Sequence, residues 1–264
     1  MKLQGKTVLL TGASGGIGQA IAQRLAAEGA RLILTGRDRA LLKTLAQQLP
    51  GNAVFFAGDL TDPASQQQLH EFTRSQGGID VLINNAGISQ FGLLAEQQLS
   101  ALMAVNLMVP MQLCQLFVPM LTARKGAVVN IGSAFGSIGF PGFTGYCATK
   151  FGLRGFTEAL LRETADSDLQ VLYLAPRATR TSINSPAVDA LNQAMQQGVD
   201  SPELVAQLLV QQLQQGRKRR FIGWPERLLV RLNGLCPAIL DFGLKHKLKQ
   251  IKHFALNKLQ ENPR

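Results

Sequence analysis

The segment Thr11-Gly12-Ala13-Ser14-Gly15-Gly16-Ile17-Gly18 constrains this chain more than any other. It follows directly on a short apolar run, Lys6 to Thr11, and opens a helix-like stretch from about Gly16 to Glu28. Glycines placed between a strand and a helix allow a tight turn, close backbone approach to a pyrophosphate and close packing of helix on strand. The helix N-terminus then presents unpaired N–H groups and the positive end of its dipole to an anion. Gly12, Ser14, Gly15, Gly16, Ile17 and Gly18 are therefore candidates to hold dinucleotide phosphates. An ordinary glycine turn is the competing reading, because such motifs recur by chance.

The rest of the chain repeats the alternation. Strand-like runs are expected at Arg31 to Thr35, Ala53 to Ala57, Val81 to Ile83, Ala127 to Ile131, Gln170 to Leu174 and Arg220 to Ile222. Helical patterns lie between them at Leu41 to Leu49, Ser65 to Ser75, Leu99 to Leu121 (with Pro110 and Pro119 inside it) and Tyr146 to Glu163. Ser201-Pro202-Glu203 reads as a further helix start, with a capping serine, a first-turn proline and an acid beside it. Apolar strands alternating with helices imply a parallel sheet covered on both faces. The expected fold is one α/β, doubly wound domain with about seven strands, over residues 1–223, followed by C-terminal helices over 224–264.

Of the 264 residues, 46% are hydrophobic, enough for a substantial core. Cys114, Cys147 and Cys236 have no paired or metal-like spacing, which points to a reducing compartment with no disulfide framework and no metal site. The N-terminus runs straight into a strand, so no signal peptide is expected, and no run of 18 uninterrupted apolar residues suggests a spanning helix. A cytoplasmic location is expected. The net charge of +10 is unevenly spread: twelve of the 27 Lys and Arg, but only three of the 17 Asp and Glu, lie after residue 216. The body is nearly neutral and the tail strongly basic.

At the end of the second strand an NAD enzyme usually places a carboxylate for the ribose 2′-hydroxyl. This chain has Thr35-Gly36-Arg37-Asp38-Arg39, and Arg37 suits charge-assisted hydrogen bonds to a 2′-phosphate, favouring NADPH over NADH. Tyr146 and Lys150, four apart, share one helix face. A cation near a phenol favours its ionised form and brings it towards general acid/base work. Ser133, on the turn after the fifth strand, is placed to hydrogen-bond a substrate oxygen, and Asn106 sits inside a long helix, an unfavourable place for asparagine. Tyr173 falls in a strand pattern and reads as core.

Over about residues 5 to 223 the chain resembles the short-chain dehydrogenase/reductase family, a Rossmann-type fold. The likeness rests on TGASGGIG at 11–18, Asp59 after the third strand, Asn84-Asn85-Ala86-Gly87 after the fourth, Asn106, Ser133 and the Tyr146/Lys150 pair. Each of these taken singly has a bland reading, as core tyrosine, turn serine, helix kink or turn cap; the ordered set does not. The resemblance implies that Tyr146 is the general acid in carbonyl reduction, that Lys150 binds the nicotinamide ribose and lowers the Tyr146 pKa, that Ser133 orients the carbonyl, and that Asn106 holds a water in a proton relay. It implies adenine contacts from Asp59 and Leu60, a cofactor cleft lined by Asn85, Ala86 and Gly87, and cofactor contacts from Pro176 and Thr181. It also implies a homodimer or homotetramer packed through helices around 99–121 and 147–163.

One departure stands out. The family usually has Pro-Gly after the sixth strand, whereas this chain has Pro176-Arg177, with Thr181 following. Arg177 could meet a cofactor phosphate, an acidic substrate or solvent. The segment Ala134 to Phe143, with Phe91 and Ile183, is either an apolar pocket for a lipophilic carbonyl or alcohol substrate or ordinary packing. Beyond Gly223, Pro225 to Leu235 has helical spacing, and Leu244, Leu248, Ile251, Ala255 and Leu259 form a stripe flanked by Lys245, Lys247, Lys249, Lys252 and Lys258. Three occupants are open for that stripe: the body or a second subunit, an anionic membrane surface with the protein peripheral on the inner membrane, or an acidic carrier protein. Nucleic acid is not expected, since no recognised binding motif accompanies the lysines. The function expected is an NADPH-dependent oxidoreductase, with a 3-oxoacyl-carrier-protein-type reductase or a non-catalytic NADPH-binding regulator or scaffold at a membrane as alternatives.

Overall fold

Side chains alternate along a strand, and this chain uses both faces. In β1 (Thr7–Thr11), Val8 and Leu10 join one apolar core and Leu9 the other. The computed structural model describes residues 1–257. Seven strands, β1 with β2 (Arg31–Gly36), β3 (Val54–Ala57), β4 (Val81–Asn84), β5 (Ala127–Ile131), β6 (Gln170–Ala175) and β7 (Arg219–Phe221), form one sheet in the order β3-β2-β1-β4-β5-β6-β7. Every pairing is parallel. This is the doubly wound architecture expected from the sequence, and the order reverses between β1 and β4, where such sheets open a crevice at their carboxyl ends.

Helices α1 (Gly16–Ala27), α2 (Arg39–Gln48) and α8 (Pro202–Gln215) cover one face through Ile21, Leu25, Leu42 and Leu209. On the other, α3 (Pro63–Ser75), α5 (Val109–Ala123) and α6 (Thr144–Glu163) bury Leu69, Leu113, Phe117 and Leu160. The Ser201 hydroxyl accepts from the Leu204 N–H at 3.2 Å, as its Ser-Pro-Glu context predicts. The same signal at Ser185-Pro186 starts α7 (Pro186–Ala194), a helix the periodicity reading passed over.

The expected helix from Leu99 to Leu121 is continuous but not uniform. It runs as α4 (Leu99–Met103), a π-helical turn over Ala104–Met108, and α5. Pro110 has no N–H to return to the Asn106 carbonyl four residues earlier, so the wider register relieves a bond that an α-helix could not make. By length and composition this helix could cross a membrane. Here Leu113, Phe117 and Leu121 are fully buried beneath the sheet, as in a core helix.

The C-terminal segment forms α9 (Glu226–Leu235) and α10 (Pro237–Asn257). Of the three occupants open for its apolar stripe, the body takes it. Leu244, Ile251 and Ala255 pack against Phe91, Phe140 and Phe143 and against Val188 and Leu191 of α7. Leu248 is half-buried, while Lys245, Lys247, Lys249 and Lys252 lie on the exposed side. Lys258 and Leu259 lie outside the described residues. Ile251→Ala should lower the unfolding free energy by about 2–4 kcal/mol, read from urea denaturation. Lys249→Ala, on the outer face, should stay within about 0.5 kcal/mol. Equal midpoints for the two variants would mean that α10 is not docked in solution.

Candidate active site

The glycine loop lies where β1 meets α1 beside the chain reversal of the sheet, and its glycines are used. A Cβ on Gly12 would stand 2.7 Å from the Ala86 Cα, and one on Gly18 would stand 2.1 Å from the Gly12 carbonyl oxygen. A Cβ on Gly16 would meet the Thr181 methyl at 2.9 Å, so the loop after β6 closes onto α1. Gly15, the N-cap of α1, provides no side-chain cap, which leaves the first-turn N–H groups of Gly16, Ile17 and Gly18 without a side-chain acceptor. The Thr181 hydroxyl is buried with no partner among the described residues. These orphaned donors fit a dinucleotide's phosphates.

The neighbouring strand ends are locked to this loop. Thr11 Oγ1 accepts from the backbone N–H groups of Asn85 and Ala86, both at 3.0 Å, and Asn85 Nδ2 donates to the carbonyls of Thr11 and Gly12 at 3.0 and 3.1 Å. Gly36, at the end of β2, sits against Ser14, where a Cβ would approach the hydroxyl to 3.3 Å. Beyond it, Asp38 caps α2 by accepting from the Leu41 N–H at 3.0 Å, and Arg39 lies over the Phe55 ring at 5.7 Å. Arg37 is exposed and has neither role. Asp59 accepts from the Thr61 N–H and hydroxyl at 2.9 and 2.8 Å, which with nearby Arg37 holds its carboxyl below the ordinary value. Leu60 buries its side chain in the core, leaving only its backbone for adenine.

Ser133, Tyr146 and Lys150 come together where β5 and α6 meet. Lys150 is buried, and its ammonium donates to the Ile131 carbonyl at 3.0 Å while lying 5.7 Å from the centre of the Tyr146 ring. Burial pulls the Lys150 ammonium down to about 8. Tyr146 packs edge-on to Phe135 and Phe143. Burial pushes its phenol up to about 12, with the Ser133 hydrogen bond pulling the other way. Desolvation is the largest influence on this phenol and makes it harder to ionise than in water.

The Ser133 hydroxyl accepts from the Phe135 N–H at 3.1 Å, starting a 3-10 turn over Ala134–Gly136. That turn is anchored by the Ala134 N–H to the Pro176 carbonyl at 2.9 Å. It rests on Tyr173, whose ring fills the space a Cβ on Gly132 or Gly136 would take. Tyr173 is core, as read, but it is also the floor of the serine turn. Asn106 faces the site from the π-helical turn. Its side chain clamps the backbone of Ile88, accepting from the N–H and donating to the carbonyl, both at 2.8 Å, and donates to Thr149 at 3.2 Å. A Cβ on Gly87 would stand 3.2 Å from Asn106 Oδ1 and 3.7 Å from Lys150 Nζ, so all three surround one point of the crevice.

A cavity of about 510 Å³ opens over Ser133 and Tyr146, walled by Phe135, Phe140, Phe143 and Ile183 and roofed by residues of α9 and α10. Phe91 stands behind Phe143, with ring centres 5.0 Å apart. Arg177 is turned away from solvent and held by protein partners. Its guanidinium pairs with Asp200 at 2.7 Å and with Glu226 of α9 at 3.4 Å, and donates to the Trp224 carbonyl at 3.2 Å. Gly198 and Gly223 make room for it: a Cβ on either would come within 2.2 or 2.6 Å of the arginine. Sequence reasoning missed this latch because its partners are 23 and 49 residues away.

The model of the short chain dehydrogenase family matches residues 6–192. Nodulation protein G of Rhizobium sp. (strain N33) is 36% identical over 203 residues, covering 75% of this chain and 81% of that protein. The 3-oxoacyl-[acyl-carrier-protein] reductase FabG of Vibrio cholerae is 36% identical over 194 residues, 72% of this chain and 80% of that protein. A short-chain dehydrogenase from Streptomyces avermitilis superposes with a TM-score of 0.79 at 29% identity, covering 94% of this chain and 98% of that one. A short chain dehydrogenase/reductase from Burkholderia phymatum, in complex with NAD, shares the fold with a TM-score of 0.82 at 22% identity, covering 91% and 96%.

If the Lys150 charge is used in turnover, its lowered pKa sets a pH dependence. The ammonium is present below pH about 8 and lost above it, whereas Tyr146 stays protonated across that range. Since kcat/KM reports groups of the free enzyme, kcat/KM for carbonyl reduction should be level near pH 6–7 and fall as pH rises through about 8. Lys150→Arg should keep the charge and move the falling limb upward. A profile level to pH 10 would show that the ammonium's charge is not needed.

Proposed function

The chain belongs to the short-chain dehydrogenase family, and on that premise we propose that it is an NADPH-dependent oxidoreductase acting on a lipophilic carbonyl or alcohol, with Tyr146 as general acid/base. The convergence of Ser133, Tyr146 and the buried Lys150 at the base of an aromatic-walled cavity carries this reading. When bound, the nicotinamide supplies the hydride for the carbonyl carbon. The Tyr146 hydroxyl gives its proton to the carbonyl oxygen, and the Ser133 hydroxyl, already within hydrogen-bonding range of Tyr146, donates to the same oxygen. The Lys150 ammonium stabilises the phenolate left behind, and solvent restores the proton. Asn106 holds Ile88, and with it the loop of Asn85, Ala86 and Gly87, against the crevice.

NADPH is favoured because Asp38 is engaged as a helix cap while Arg37 stands free of helix and ring contacts beside the end of β2. The three phenylalanines that wall the cavity, Phe135, Phe140 and Phe143, favour an apolar substrate body. A homo-oligomer is favoured by the half-exposed Met103, Met108 and Phe151 on the face of the 99–123 helix and α6. A second reading, reduction of a 3-oxoacyl group on a carrier protein, is supported by the names of the FabG relatives. Comparing free with carrier-bound 3-oxoacyl compounds separates the two.

Two variants test the proposal. Tyr146→Phe should abolish reduction across a panel of lipophilic ketones and aldehydes, followed by loss of NADPH fluorescence, while NADPH still binds. Activity at the parental level would end the catalytic assignment. Arg37→Ala should weaken NADPH binding about 10–100-fold, the worth of a charged hydrogen bond, and leave NADH affinity unchanged. Equal weakening for both nucleotides would remove the 2′-phosphate role.

A further inference from the structure

A second cavity lies on the far side of α9 from the active site. It is a groove of about 580 Å³ lined by Arg154, Arg217, Arg219, Arg227 and Arg231, with Phe221, Val230 and Leu235 among its apolar walls. Five guanidinium groups around one groove repel one another unless an anion lies between them. The side chain of Glu158 meets two of them, Arg154 at 3.1 Å and Arg219 at 3.3 Å, and also meets Arg162 at 3.6 Å. Among the described residues Arg217, Arg227 and Arg231 form no ion pair. A sixth arginine, Arg220, likewise has no carboxylate partner among the described residues. It donates to the Leu208 carbonyl and to Gln211, and its pKa is lowered by burial and then by the charges of Arg217 and Arg227.

Part of the groove is rigid. The Arg154 guanidinium lies 5.6 Å over the Phe221 ring and donates to Glu158 and to the hydroxyl of Ser137. Arginine forks match the oxygens of phosphate groups in pairs, and several held at one place suit more than one phosphate. We propose that this groove is a binding site for a multiply charged phosphate group, separate from the dinucleotide crevice, and that its occupation steadies the wall of the active-site cavity.

The linkage runs through α9. Arg227, Val230, Arg231 and Leu235 face the groove, while Glu226 and Leu229 line the active-site cavity. Asn233, on the same helix, donates to the Ser137 carbonyl at 2.8 Å, and the Arg154 fork holds the Ser137 hydroxyl. Ser137 directly follows the 3-10 turn that Ser133 starts. An anion drawing Arg227 and Arg231 towards Arg154 and Arg219 fixes α9 against that turn. The binding stands on the arginines alone; the effect on turnover rests on the function proposed above.

Titration calorimetry of the full chain, saturated with NADPH so that the dinucleotide crevice is filled, with inorganic pyrophosphate at low salt tests the site, with co-sedimentation on phosphatidic acid against phosphatidylcholine vesicles as a parallel arm. Arg227→Ala/Arg231→Ala removes two exposed side chains and should retain the parental circular dichroism. Pyrophosphate should bind one to one, with affinity falling as salt rises and at least tenfold weaker in the double variant. Binding to phosphatidic acid alone, lost in the double variant, would assign the phosphate to a lipid headgroup. Absence of binding in both arms, or equal binding by parent and double variant, would overturn the site. In reduction assays, the occupied groove should lower the substrate KM severalfold in the parent and leave the double variant unchanged; an absence of this effect alongside intact binding would overturn the linkage only.

Discussion

The active site depends on a buried ammonium. Lys150 sits on α6 with its charge out of water, and the Ile131 carbonyl at the end of β5 is the acceptor that holds it. That bond ties α6 to the sheet at the end of β5, just before Ser133, and it places a cation beside the Tyr146 ring. Desolvation acts on both groups in opposite senses, making the lysine easier to discharge and the phenol harder to ionise. For the proton donor proposed above this would be a workable arrangement, because the phenol would keep its proton until a charge develops on a substrate oxygen, where the ammonium would then matter most.

The same logic of local polar anchoring holds the strand ends in register. Asn84 of β4 donates to Asn130 of β5 at 2.8 Å, Asn130 donates to Thr157 of α6 at 2.9 Å, and the Thr157 hydroxyl turns back to the Leu153 carbonyl. These groups are buried, so each lost partner would leave an unsatisfied polar atom in an apolar surround. The ladder therefore fixes α6, and with it Tyr146 and Lys150, relative to the strands that carry the dinucleotide loop. Thr11 does for β1 and β4 what this ladder does for β4, β5 and α6.

Strands and most helices were legible because burial on both faces writes continuous apolar runs, and because glycine, proline and capping residues punctuate them. Glycine loop, serine, tyrosine and lysine were legible as a set, since each falls just after a strand or on the helix that follows. Three features were not. The π-helical turn at Asn106 looked like a helix with an awkward asparagine, although Pro110 four residues on is the physical cause. Helix α7 carried its own start signal at Ser185-Pro186, overshadowed by the irregular segment before it. The balance at Tyr146 could not be read, because spacing along a helix reports neighbours and says nothing of desolvation.

Arg177 and the C-terminal helices, read separately as a departure and an addition, are one feature. A guanidinium at that position is four-fifths buried and faces two carboxylates, Asp200 and Glu226. Glu226 belongs to α9, so a chain ending after β7 would leave the arginine with one partner and a half-met charge in a buried place, a costly arrangement. Small residues follow the same division: glycine is absent at 177 and present at 198 and 223, where the arginine needs the room. A glycine at 177 would in turn leave Asp200 and Glu226 facing each other without a cation. The loop that closes on the dinucleotide crevice through Thr181 is thus tied by its own sequence to the helices that roof the cavity. An exchange at 177 alone would alter that roof, and removal of the roof would alter the loop.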